Sequence, residues 1–162
     1  MTIRRSLLPI LFAAACALAV ASLGAAATDI GPWYYGLNKP SWQPPDWLFG
    51  PAWTLIFGLA AVSGAMAWAA APTAAMRRLV LVLFAVNALL NVGWTELFFR
   101  VRRPDWALIE VVPFWLSILV LVVVLARFSP PASRALLPYL VWVAFAAALN
   151  LATVRLNGPF GV

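Results

Sequence analysis

Five stretches of about twenty apolar residues, separated by short breaks, leave this chain few choices of fold. They run from Leu7 to Ala27, Pro51 to Ala71, Leu79 to Phe99, Trp106 to Phe128 and Ala135 to Leu156. At about 1.5 Å of rise per residue, each is long enough as a helix to cross roughly 30 Å of hydrocarbon. Lipid offers no partner to a backbone N–H or C=O, so each run is predicted to be a helix that satisfies its own. Composition agrees: 65% of the 162 residues are hydrophobic and 10% are charged, where a soluble domain carries about 25% charged. The deficit is spread over the whole chain, which excludes a soluble domain on one anchor. The expectation is an all-α membrane protein, a bundle of five transmembrane helices with a long Trp/Pro-rich first loop. It forms one domain over residues 1–162, multi-pass and in contact with the lipid of a bacterial membrane.

The breaks carry the remaining punctuation. Three are short: Pro72-Thr73, Arg102-Arg103-Pro104-Asp105 and Ser129-Pro130-Pro131. Arg4-Arg5, the first apolar run and Ala25-Ala26-Ala27 also fit a signal peptide, but a signal core is about 7–15 residues. This run is longer, so a retained first helix is expected. The positive-inside rule does not fix orientation. Arg4, Arg5, Arg77, Arg78, Arg127 and Arg134 fall on one side, and Lys39, Arg100, Arg102, Arg103 and Arg155 on the other.

Several chemistries are excluded by what is missing. The chain has no His and one Cys. No internal disulfide can form, a zinc site lacks its usual ligands, and haem iron cannot be held by His. Neither a Ser-His-Asp nor a Cys-His arrangement can be assembled. The net charge of +6 does not indicate nucleic acid, because the arginines sit singly or in small groups between apolar runs, as snorkelling charges do. No catalytic residue and no metal ligand is assigned.

The exception to the short breaks is residues 28–50. From Trp33 to Trp47 it holds Trp33, Trp42 and Trp47 with Pro40, Pro44 and Pro45. Proline fixes φ and removes a donor, so the segment is stiff and irregular. Two readings fit: an interfacial aromatic belt, and a rigid lid over a cavity. A belt does not need so many prolines, which weighs towards the lid.

The helices offer matching faces. Asn87, Asn91 and Trp94 recur at helical spacing on the third run, and polar groups in a span usually face the bundle interior. Tyr139, Trp142, Ala146, Leu149, Asn150 and Thr153 make a stripe on the fifth. Trp53, Phe57, Gly64 and Trp68 align on the second, and Glu110, Phe114 and Ser117 on the fourth. Interhelical packing explains each stripe singly. Aromatics paired with amides on several helices also suit a pocket for a flat, mostly apolar ligand with polar edges. Glu96 and Glu110 are ionisable groups within spans, where such groups are costly. Either is expected to pair with Arg and tie the third and fourth helices together.

Several motifs resemble one family. They are Leu37-x-Lys39-Pro40-Ser41-Trp42-x-Pro44-Pro45-x-Trp47, Gly50-Pro51-x-Trp53-Thr54, Asn91-x-x-Trp94-Thr95-x-Leu97-Phe98-Phe99, Ala107-Leu108-Ile109-Glu110 and Pro138-Tyr139-x-x-Trp142-x-x-Phe145-Ala146-x-x-Leu149-Asn150. In this order they resemble the TspO/translocator (tryptophan-rich sensory protein) family, from about Trp33 to Asn157. The resemblance implies a five-helix bundle, often a homodimer, that binds tetrapyrroles, sterols and benzodiazepine-type ligands beneath the first loop. Some relatives are proposed to degrade porphyrin in light, which keeps an enzymatic alternative open. Carried over here, Trp42, Trp53, Trp94 and Trp142 stack on the ligand and Asn87, Asn91 and Asn150 meet its polar edges. Phe57, Phe145 and Ala146 complete the wall. No cofactor is required; porphyrin or haem is the implied ligand, and the lack of His favours a metal-free ring or haem without His ligation. Phe57 stands where many members carry Tyr, and Gln43 where His is frequent. The Tyr of a cholesterol-recognition pattern falls at Leu151, so that pattern is broken.

Overall fold

The computed structural model describes the backbone of residues 3–161 and the side chains of residues 7–161. Among them there is no strand. The elements in chain order are α1 (Ile3–Ala27), α2 (Pro32–Gly36), a 3-10 turn (Asp46–Leu48), α3 (Phe49–Ala70), α4 (Ala74–Thr95), a π-type turn (Glu96–Arg100), α5 (Pro104–Ala126), α6 (Pro130–Ala135) and α7 (Leu137–Asn157). Five stretches are long and apolar enough to span a membrane: Leu7–Ala27, Asp46–Ala70, Ala74–Arg100, Pro104–Ala126 and Pro130–Asn157. All five expected spans are therefore present.

Their ends differ from the apolar runs for local reasons. The third span begins at Ala74 because Thr73 caps it, its hydroxyl accepting from the Met76 N–H at 3.1 Å. Hydropathy had placed that start after Arg77 and Arg78. The fifth span is entered by α6, which Pro130 and Pro131 open as good first-turn residues. The long loop is not irregular throughout, since it holds α2 and the 3-10 turn.

The central element is α5, packed against α4, α6 and α7. Ala107, Val111, Phe114, Ile118, Leu121 and Leu125 are buried along it at helical spacing. Outside, Leu89 and Ile109 are each 74% exposed, as suits side chains that meet lipid. Helix α1 packs mainly on α3 and also reaches α4, whereas the backbones of α3 and α7 stay apart and meet through the rings of Phe49, Trp53, Tyr139 and Trp142.

Polar side chains lock the three helices α4, α5 and α7. The Tyr139 hydroxyl donates to Asn87 Oδ1 at 3.1 Å and accepts from Asn91 Nδ2 at 3.1 Å. Asn87 Nδ2 donates to Ser117 Oγ at 2.9 Å. Nearer the lid, Trp94 Nε1 donates to Asn150 Oδ1 at 3.2 Å, and Asn150 Nδ2 donates to the Pro104 carbonyl at 2.8 Å. At the far end Ser63 donates to the Ala132 carbonyl and Ser133 to that of Val122, both at 2.8 Å.

The lock makes a stability prediction. Tyr139→Phe leaves Asn87 Oδ1 and Asn91 Nδ2 without their shared partner, at a cost of about 1–2 kcal/mol. The variant is expected to keep its helical circular dichroism and lose thermal stability in detergent. A midpoint equal to that of the unmodified protein would show that the lock does not hold the bundle.

Candidate functional site

A cavity of about 730 Å³ opens between α1, α3, α4 and α7 beneath the loop. Helix α3 supplies Trp53 and Phe57, α4 supplies Asn91, Trp94 and Thr95, and α7 supplies Trp142, Ala146, Asn150 and Thr153. Small side chains of α1, Ala21, Ser22 and Ala25, form the remaining wall. Rings dominate. Trp53 and Phe57 stack at 5.4 Å and 26°, and Trp142 meets Trp53 edge-on at 6.5 Å.

The π-type turn shapes one corner. The Val101 N–H bonds the Glu96 carbonyl at 2.9 Å, five residues back, so the last turn of the third span is widened. Phe98 and Phe99 line the cavity from this turn. Trp33 meets Phe98 edge-on at 6.2 Å, and Tyr34 and Phe99 lie 5.8 Å apart, which seats α2 on the bundle.

The loop forms the roof. Tyr34, Lys39, Gln43, Asp46 and Trp47 face the cavity. Asp46 Oδ1 accepts from the Tyr34 hydroxyl at 2.9 Å and from Gln43 Nε2 at 3.1 Å, and Lys39 lies 3.6 Å from Oδ2. The Lys39 ammonium also sits 3.9 Å from the centre of the Tyr34 ring. Burial, reinforced by the Asp46 carboxylate, pushes the Tyr34 phenol above its ordinary range, so it stays a neutral donor. Asn157 pins this assembly to the end of α7. Its Oδ1 accepts from the Asn38 N–H at 2.7 Å, and its Nδ2 donates to the Asn38 carbonyl at 2.9 Å.

Of the residues singled out in the sequence, Trp53, Phe57, Asn91, Trp94, Trp142, Ala146 and Asn150 come together on the wall. Asn87 does not; it is spent on Ser117 and Tyr139 below the cavity. Phe145 stands behind the wall, 5.5 Å from Trp142. Trp42 is half exposed and packs edge-on against Phe145 at 5.9 Å. With Ala148, Leu151, Ala152 and Arg155 it lines a groove outside the bundle. Pro40 and Pro44 bracket Trp42 and restrict the turn that carries it.

The expected carboxylate ties between the third and fourth helices do not form. Glu96 pairs with Arg100 at 3.6 Å within its own turn. Both Glu110 oxygens are buried without a protein partner, and Oε1 lies 3.9 Å from where a Cβ on Gly93 would stand. That is an ordinary van der Waals distance, so the Glu110 side chain lies close to α4 without requiring a glycine at 93. The sequence reading did not select Tyr34, Phe49, Phe98 or Phe99 for the wall. Their aromatic character was the available signal; the π-type turn that places two of them breaks the helical period.

The arrangement can bind but holds little acid–base machinery. Asp46 is the cavity's one carboxylate among the described residues, and three donors already engage it. The TspO/MBR family model matches residues 12–156. The chain belongs to the TspO/MBR family. It is 41% identical over 126 residues to the tryptophan-rich protein TspO of Chlorobaculum tepidum, covering 77% of this chain and 80% of that protein. It is 36% identical to protein CrtK of Rhodobacter capsulatus, covering 88% of each. It is 34% identical to the translocator protein of Homo sapiens, covering 77% of this chain and 75% of that one. This TspO/MBR chain is thus an integral, multi-pass membrane protein.

The Asn157 clamp predicts lid behaviour in this TspO/MBR protein. Asn157→Ala removes both hydrogen bonds to Asn38, about 1–2 kcal/mol together. Amide hydrogen exchange at Asn38 should rise by about tenfold, while exchange in the middle of α5 is unchanged. Unaltered exchange at Asn38 would mean that the lid is held by its aromatic contacts alone.

Proposed function

We propose that this protein is a membrane-embedded receptor for flat, largely apolar molecules, a metal-free tetrapyrrole foremost, which it holds under the lid to sense or pass on. The observation that carries this reading is the aromatic cavity of about 730 Å³, open in shape between stacked and edge-on rings. That volume lies within the usual range for small-molecule pockets, about 300–1,000 Å³. Large rings give contact area at little conformational cost. Polar groups on the wall are few. The Trp142 Nε1–H is buried with no protein partner, whereas Trp94 spends its indole N–H on Asn150. At the roof, among the described residues, Lys39 has no hydrogen bond to a side chain, only a 3.6 Å contact to Asp46 and the face of the Tyr34 ring, whereas Asp46 has two further donors. Lys39 is therefore the charge with capacity left for an acidic edge such as a propionate.

The reading is tested with protoporphyrin IX and detergent-purified protein. Quenching of Trp fluorescence should saturate with a Kd near 1 µM, about −8 kcal/mol. Trp53→Ala removes the ring stacked on Phe57 and should weaken binding about tenfold. Trp106→Phe, which lies off the cavity, should leave it unchanged. Linear quenching equal to that in empty micelles would refute the proposal.

A further inference from the structure

The bundle segregates its charge from end to end. All five acids, Asp29, Asp46, Glu96, Asp105 and Glu110, belong to the lid end. Five bases share that end, and four of them are paired: Lys39 with Asp46, Arg100 with Glu96, Arg102 with Asp29, and Arg103 with Asp105. Five bases against five acids leave the lid end formally neutral. The whole net charge of +6 therefore sits at the opposite end.

That end carries Arg4 and Arg5 at the start of α1, Arg77 and Arg78 in the first turn of α4, Arg127 after α5 and Arg134 on α6. No Asp or Glu lies there in the sequence. Arg77, Arg78, Arg127 and Arg134 are exposed, and none of these four makes an ion pair. The Arg77 guanidinium lies 5.5 Å from the centre of the Trp68 ring, close to where α3 ends. The arginines thus sit at the ends of several elements, where the helices leave hydrocarbon, and not on one protruding patch.

We propose that this arginine-bearing end is a binding surface for anionic phospholipid headgroups. The charge complementarity is one-sided, and guanidinium pairs with phosphate in a bidentate fork. Placement at the hydrocarbon boundary fits a headgroup layer better than a soluble acidic partner. The lid and its cavity then lie at the opposite, neutral face of the membrane.

The test uses the full chain reconstituted in vesicles, with spin-labelled phosphatidylglycerol and phosphatidylcholine of matched acyl chains. Electron paramagnetic resonance gives their relative association with the protein. The unmodified protein should select phosphatidylglycerol, and the preference should collapse as salt shortens the screening length from about 10 Å at 0.1 M to about 3 Å at 1 M. The R77Q/R78Q/R127Q/R134Q variant should lose selectivity, by up to about fivefold for each arginine. R100Q/R102Q, at the lid end, should retain it. Equal association of both lipids with the unmodified protein overturns the proposal, and that is also the outcome if the surface serves an acidic protein instead. Selectivity that survives high salt overturns it too, as does equal loss in the lid-end variant. The salt series needs no substitution, so misfolding of the fourfold variant cannot mask the answer.

Discussion

Hydrocarbon offers no hydrogen bonds, so polar groups that enter it are driven to find partners within the chain; Glu110 and the Trp142 indole are the buried exceptions among the described residues. The backbone meets this demand by forming helices. The side chains meet it with a short circuit of amides and hydroxyls, Ser117–Asn87–Tyr139–Asn91, and a second one, Trp94–Asn150–Pro104 carbonyl. Both circuits join α4, α5 and α7. Neither includes α3, which meets α7 through aromatic rings instead. The cavity lies between these locked helices and α3, so circuit members Asn91, Trp94 and Asn150 form one wall and the rings of α3 another.

The roof obeys a different rule because it borders water. Charge is tolerated there, and Asp46 gathers Tyr34, Gln43 and Lys39 around one carboxylate. Gln43 serves here as a clasp, its amide reaching both Asp46 and the Tyr34 hydroxyl. The single Asn157 side chain makes two hydrogen bonds to the Asn38 backbone, the pairing that one strand offers another.

Much of this was legible from residue order. Apolar runs announce the spans because lipid leaves the backbone no alternative. Helical spacing placed Asn91, Trp94, Trp142, Ala146 and Asn150 on inward faces, and all five line the cavity. Periodicity failed where the helix itself departs from 3.6 residues per turn. Phe98 and Phe99 reach the wall through a π-type turn that no spacing rule contains. It also failed to separate two inward layers. Asn87 lies one turn from Asn91 on the same face, yet Tyr139 and Ser117 consume it below the cavity. Trp42 misled for another reason: a loop has no period, so the tryptophan count gives no direction for each ring.

The spent amides constrain how the cavity can discriminate. Asn150 donates to Pro104 and accepts from Trp94, and the Asn91 amide N–H is engaged by Tyr139. The wall therefore presents ring faces more than free donors and acceptors, and Phe57 supplies no hydroxyl. Recognition by stacking is sensitive to shape and area but tolerant of chemical detail, because every flat ligand has an apolar face. A missing hydrogen bond to a dedicated buried partner rejects a ligand strongly; a missing methylene does so weakly. By that logic, the proposed receptor would select on the outline of the cavity and on the few polar atoms at its edge, Trp142 Nε1 and the Lys39 ammonium among them. On the proposed function, the interior would set how large and flat a ligand is, and the roof which polar edge it bears.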